Sequence, residues 1–154
     1  MRNQELPVPQ FGERIQLRNA PWSVRLGQAV SGRAALEVYV DGALVDVVVP
    51  TPMVSGTLRG ACSSKGADRR WLTLAWGVFE GSQIAPPVVL FRRRRICGTV
   101  YRSGHTFSFG RRFWLSAADG RYTSVAATRS DGETEGHEIR ALRSSAFPRR
   151  IGSR

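Results

Sequence analysis

Four consecutive arginines are the part of this chain best suited to chemistry. Arg92–Arg95 stand between Phe91 and Ile96, and the stretch from Arg92 to Arg112 holds seven arginines and no acidic residue. The planar guanidinium fork of arginine binds phosphate groups, and exposed aromatic rings among such arginines stack on bases. We therefore expect this stretch to bind nucleic acid (RNA or single strands) or another polyanion, through Arg92, Arg93, Arg94, Arg95, Tyr101, Arg102, Arg111 and Arg112.

A solvated surface is the alternative interpretation of the same stretch. The aromatic rings would then form the core and the arginines its rim, since the sequence has no RNP motif, zinc finger or helix-turn-helix pattern. Arginine supplies 22 of the 23 basic residues, a bias that a GC-rich genome also produces. Codon usage does not explain the excess over acids, however. Residues 92–154 carry 14 basic and 5 acidic groups, so they hold +9 of the net +11.

Glu37 and Asp46 form a second candidate constellation. The two-residue turn Asp41-Gly42 would place them directly opposite each other on antiparallel strands, where two carboxylates repel or hold a cation. Glycosidases use such a pair for acid–base catalysis. The alternative is an exposed face neutralised by Arg25 or Arg33, which we favour because nothing nearby suggests a substrate cleft.

Neither a metal site nor a nucleophilic site emerges from the remaining residues. The only soft ligands are Cys62, Cys97, His105 and His137, and their spacings match no zinc module. The sequence has no GxSxG, P-loop or GxGxxG motif. We expect a non-catalytic protein without cofactors. A small hydrolase, the third option, would show a concave pocket lined by His105 or by the Glu37/Asp46 pair.

Length and composition favour one domain. The 154 residues are 42% hydrophobic, enough for a core. We expect a β-rich domain over residues 1–143 and a basic, flexible tail over 144–154. No apolar run approaches the roughly 18 residues of a membrane span, and residues 1–14 lack the apolar stretch of a secretory signal. Two cysteines are too few for a disulfide scaffold, so we expect free thiols in a reducing compartment, cytoplasmic or nuclear.

The distribution of glycine, proline and β-branched residues predicts an all-β fold. Short apolar runs separated by turns are typical of a single antiparallel sandwich or partly open barrel, here of eight to ten strands with at most one short C-terminal helix. Asp41-Gly42 predicts a hairpin that pairs Val40 with Ala43, Val38 with Val45 and Leu36 with Val47. Further strands are expected at residues 14–18, 22–26, 53–58, 71–79 and 84–91, with a polar loop at residues 60–70.

The second half of the chain suggests two more hairpins and a helix. Ser103-Gly104 would join residues 96–102 to 105–109, pairing Val100 with Phe107. Asp119-Gly120 would pair Trp114 with Val125. Early glutamates favour a short helix over residues 134–142, although Gly136 weakens it.

A structural role competes with nucleic-acid binding. Exposed sheet edges and dispersed arginines also suit a viral coat, decoration or accessory protein, one that contacts acidic protein partners or copies of itself. The N-terminal residues 1–13 hold one arginine and two glutamates, so they are not the basic arm of a coat protein that packages nucleic acid.

Overall fold

The chain folds into strands only, over the part that the structure describes. The computed structural model describes residues 12–17, 20–51, 57–80 and 85–142, and no helix lies within these ranges. In chain order the strands are β1 (Arg14–Gln16), β2 (Trp22–Gln28), β3 (Ala34–Val40), β4 (Ala43–Val48), β5 (Leu58–Lys65), β6 (Trp71–Val78), β7 (Val88–Arg95), β8 (Gly98–Ser103), β9 (His105–Phe109), β10 (Phe113–Asp119), β11 (Ser124–Thr128), β12 (Thr134–Glu138) and β13 (Arg140–Leu142).

Three sheets contain these strands. Sheet 1 has the order β1-β2-β3-β4, sheet 2 the order β13-β5-β6-β10-β9, and sheet 3 the order β12-β11-β7-β8. Every pairing is antiparallel except that of β13 with β5. The prediction of an all-β, sandwich-like fold is confirmed, with three sheets and more strands than expected.

Sheet 2 is the central layer, because it contributes to both cores. One face packs against sheet 1 through side chains that include Leu74, Trp76 and Phe113. The other face packs against sheet 3 through side chains that include Ala75 and Trp114. Successive residues of β6 and β10 alternate between the two cores, as the two-residue period of a strand requires. The predicted core face of the 71–79 strand (Leu72, Leu74, Trp76 and Val78) is thereby confirmed.

The Asp41-Gly42 hairpin is confirmed, but its register changes after two pairs. Asp41 and Gly42 adopt φ of 49° and 79°, as a type I′ turn requires. Val40 pairs with Ala43 as predicted, and a bulge then shifts the register so that Asp46 lies opposite Val38. Glu37 and Asp46 are therefore not partners across the strands, and the predicted carboxylate pair is wrong.

The expected polar loop at residues 60–70 is also wrong in its first half, because residues 58–65 form β5. Its small residues suit the central layer, where both faces are covered: Cys62 faces one core and Ala61 the other. Ser63 is fully buried, and its hydroxyl shares a 2.6 Å hydrogen bond with that of Thr73 on β6. This satisfied pair lets a polar residue occupy a buried strand.

Neither predicted hairpin of the second half forms. At Ser103-Gly104 the chain passes from sheet 3 to sheet 2, so β8 pairs with β7 and β9 with β10. At Asp119-Gly120 the chain returns from sheet 2 to sheet 3. In both places glycine serves a change of layer instead of a tight turn within one sheet.

The predicted helix at residues 134–142 is wrong. Thr134–Glu138 forms β12 and Arg140–Leu142 forms β13, which pairs with Cys62–Ser64 of β5. The edges of two sheets recruit these residues, and that tertiary pairing outweighs the weak helical pattern. The expected strands near residues 14–18, 22–26 and 84–91 appear as β1, β2 and β7. Most of the expected 53–58 strand and the whole 144–154 tail lie outside the described residues.

Candidate nucleic-acid interface

The arginine run lies at the end of β7, where the strand extends beyond its neighbour in the sheet. Strand β11 pairs with β7 from Val88 to Arg92 and no further. Strand β8 continues to pair with β7 as far as Arg95, which lies opposite Gly98. Among the described strands, residues 93–95 thus pair with β8 alone. We call residues 93–100 the β7–β8 arm.

A turn at Ile96 and Cys97 closes the arm. Gly98 follows it with a φ of +128°, a conformation that a residue with a side chain rarely adopts. Both Ile96 and Cys97 are exposed, and Ile96 is fully so. The sequence alone predicts no role for Ile96. The one signal for such a role is its position, as an apolar residue between four arginines and a Cys-Gly pair.

One face of the arm and its base carries Arg92, Arg94 and Tyr101. Their face follows from alternation, because Val89 and Phe91 on the same strand point into the core. Arg92 lies directly opposite Tyr101, which is 58% exposed. The Nε of Arg92 donates a 2.9 Å hydrogen bond to Ser124 Oγ, which fixes the guanidinium across the sheet. Three of the predicted site residues therefore share one surface.

The opposite face carries Arg93, Arg95 and Arg102. Arg102 pairs with the buried Phe91, and Arg93 pairs with Val100. The Arg93 guanidinium lies over the Tyr122 ring, 5.7 Å from its centroid. Arg95 and Arg102 are exposed. Arginines therefore lie on both faces of the β7–β8 hairpin.

Arg111 and Arg112 lie apart from this group, in the turn between β9 and β10 of sheet 2. The carbonyl of Arg112 accepts a 2.8 Å hydrogen bond from the Phe79 N–H. The neighbouring Gly110 lies against Leu26 of sheet 1. The predicted site thus divides into six residues on the β7–β8 hairpin and two in another sheet.

A shallow groove of about 400 Å³ crosses the outer face of sheet 3 beside the base of the arm. Small residues, Ala126 and Gly136, lie along it, between Arg92 and Tyr101 at one side and Glu138 at the other. This gives the basic face a depression next to an exposed ring.

A larger cleft of about 580 Å³ lies between β4 and the edge of sheet 2. It contains Asp46 and His137 but neither His105 nor Glu37. Asp46 accepts a 2.8 Å hydrogen bond from the Trp76 indole. Glu37 instead forms an ion pair with Arg25 at 3.4 Å, the neutralisation that the sequence favoured.

Cys62 and Cys97 are both free thiols, in contrasting surroundings. Burial raises the pKa of Cys62 from 9.0 to about 11, and its Sγ lies 3.2 Å from the Arg140 carbonyl. Within the described ranges, no three His, Cys, Asp or Glu residues come close enough together to hold a metal ion.

Comparisons with known proteins return no relative. No family model, curated protein or solved structure matches the chain. The described residues also contain no helix of the length and apolarity that crossing a membrane requires.

Proposed function

We propose that this protein is a non-catalytic module that binds nucleic acid through the β7–β8 hairpin. The observation that carries the proposal is the placement of arginines on both faces of a hairpin that extends past the rest of its sheet. A protruding basic element reaches phosphates that a flat sheet face cannot reach simultaneously.

The charge pattern favours nucleic-acid binding over the alternative in which the arginines form only a solvated surface. No acidic residue occurs between Arg92 and Arg112, so arginines 94 and 95 at the end of the arm have no acidic neighbour in sequence to neutralise them. A local field of this kind attracts polyanions over long distances. Tyr101 adds an exposed aromatic ring at the base of the arm, opposite Arg92.

A salt titration with paired variants tests the proposal. The double variant R94A/R95A removes two charges from the arm, and R111A/R112A removes two from the β9–β10 turn. The slope of log K against log[salt] is negative. If the arm holds the phosphates, R94A/R95A makes this slope shallower by about 2, and R111A/R112A leaves it nearly unchanged.

Two results would contradict the proposal. Affinity that does not change when salt is raised several-fold would exclude a phosphate-binding mode. Equal losses in both double variants would show a response to net charge instead of a site on the arm. Fluorescence anisotropy of labelled oligonucleotides measures all of these affinities.

One observation favours the alternative, a structural protein that packs against copies of itself or other proteins. Strand β4 forms an edge of sheet 1 and exposes apolar side chains, with Leu44 at 54% and Val47 at 46%. Such an edge invites pairing with another chain. Size-exclusion chromatography with light scattering tests this role, because a strict monomer at high concentration argues against self-assembly.

A further inference from the structure

The tip of the β7–β8 arm carries an apolar residue with no packing role. Ile96 is fully exposed, and it stands between Arg95 and the exposed Cys97. An isolated exposed apolar side chain is common on protein surfaces. Here, however, it is the most distal part of a basic element, so any polyanion that the arm engages tip-first meets Ile96.

Arginines on both faces of the arm indicate how it approaches a ligand. A ribbon that lies flat on a surface uses one face and leaves the other in solvent. Arg94 projects from one face, whereas Arg95 projects from the other, so both contact phosphates only if phosphates flank the arm on two sides. The walls of a duplex groove provide that arrangement, and an extended single strand does not.

We infer that the arm enters the major groove of duplex DNA tip-first, with arginines toward the phosphates of both walls and Ile96 toward the base edges. This inference rests on the proposed function and specifies its ligand. It replaces the expectation of RNA or single strands that the sequence alone suggested.

The dimensions of the arm fit this groove. Residues 93–95 span about 10 Å at roughly 3.3 Å per residue, and the turn at Ile96 and Cys97 lies beyond them. The major groove of B-form DNA is about 12 Å wide and 8.5 Å deep, and it admits a two-stranded ribbon. The major groove of duplex RNA is deep and too narrow for side chains to read. At the groove floor, the thymine methyl group is the apolar contact available to Ile96.

The experiment compares I96S with V30S. Val30 is also fully exposed, at the turn between β2 and β3, so V30S removes an equivalent side chain from a different place. Anisotropy measures the binding of each variant to a 20-base-pair DNA duplex, the same sequence as duplex RNA, and the single DNA strand.

The inference predicts that the native protein binds the DNA duplex tightest. I96S should weaken that binding about tenfold, because an isoleucine side chain loses its apolar contact, while V30S binds as the native protein does. Replacing thymine by uracil in the duplex, which removes the methyl groups, should weaken the native protein but not I96S.

The failure of this inference differs from the failure of the proposed function. Salt-dependent binding in which the single strand or duplex RNA is preferred, or in which I96S equals V30S, would overturn groove entry and leave the proposed function standing. Binding that netropsin blocks and methyl green does not would place the arm in the minor groove and also overturn it. No salt-dependent binding to any of the three nucleic acids would overturn both.

Discussion

The indole N–H of Trp76 donates a 2.8 Å hydrogen bond to the carboxylate of Asp46, and this bond joins the central sheet to the edge strand of sheet 1. Trp76 is buried in the core between these sheets, where its ring lies 6.1 Å from that of Trp22. The bond depends on the bulge in the β3–β4 hairpin, because the shifted register places Asp46 opposite the buried Val38 and hence on the inner face.

Replacing Asp46 by alanine should therefore destabilise the fold. The buried indole N–H would lose its acceptor, at a cost of about 1–3 kcal/mol. D46N retains an acceptor oxygen and should lose less. Urea unfolding followed by tryptophan fluorescence measures both variants, and equal stability of D46A and the native protein would show that the bond contributes nothing.

Gly104 should not tolerate a side chain, because the chain passes closely between two sheets there. A Cβ at this position would lie 2.0 Å from Ser116 Oγ and 2.7 Å from the Phe91 ring. We expect G104A to lower the free energy of unfolding by about 1–3 kcal/mol. G136A is the matched control, since the nearest atom to its Cβ would lie 3.9 Å away.

The double variant G104A/S116A refines this prediction. Removing the Ser116 hydroxyl relieves the closest clash but also breaks its 2.8 Å hydrogen bond with Thr106, so the double variant should be more stable than the sum of the two single effects. A double variant that is less stable than the sum of the two single effects would contradict the steric explanation. Thermal unfolding by circular dichroism provides the three values.

These positions show which parts of the fold the sequence could predict. Asp41-Gly42 was predictable because the turn requires positive φ at both residues, and few dipeptides allow this. Ser103-Gly104 and Asp119-Gly120 resemble the same signal, but their glycines serve layer crossings. Local sequence does not distinguish these cases. The crowding around Gly104 comes from Phe91 of β7 and Ser116 of β10, both far from it along the chain.

The candidate site was predictable in composition but not in arrangement. The acid-free arginine stretch identified the region, and strand alternation divides Arg92–Arg95 between two faces. The arm depends on where β11 ends and on a turn at Ile96-Cys97. The predicted Ser103-Gly104 hairpin places these two residues within a strand, so the sequence does not predict that turn. Arg111 and Arg112 lie in another sheet because the chain passes from sheet 3 to sheet 2 at Ser103-Gly104.

Glu135 should be required for the attachment of sheet 3 to sheet 2. Its carboxylate accepts hydrogen bonds from the N–H groups of Thr57 and Leu58, at distances of 2.8 to 2.9 Å. E135A leaves both donors without their acceptor and should cost about 2–3 kcal/mol, since bonds to charged groups are stronger than average. E138A, at an exposed position of the same strand, is the control. Urea unfolding that moves equally in both variants would refute this role.

The two thiols should react at very different rates in the folded protein. Cys97 is exposed at the tip of the arm, whereas Cys62 is buried. Ellman's reagent at pH 8 should therefore modify one thiol rapidly in the native protein and two in denaturant. C97S should abolish the rapid phase, and a rapid phase that persists in C97S would show that Cys62 is accessible.

Cys62 should also make stability fall in alkaline solution. Burial raises the pKa of its thiol from 9.0 to about 11, so between these values the unfolded chain releases this proton and the folded chain keeps it. The unfolded state then binds fewer protons, and the free energy of unfolding decreases as pH rises from about 9 to 11. Below pH 9 both states hold the proton and the contribution is constant.

Urea unfolding of the native protein and C62A from pH 8 to 11 isolates this effect, because other groups titrate in both. As pH rises from 9 to 11, the native protein should lose more stability than C62A does. A stability difference that stays constant across this range would mean that the Cys62 thiolate is as well solvated in the folded protein as in the unfolded chain.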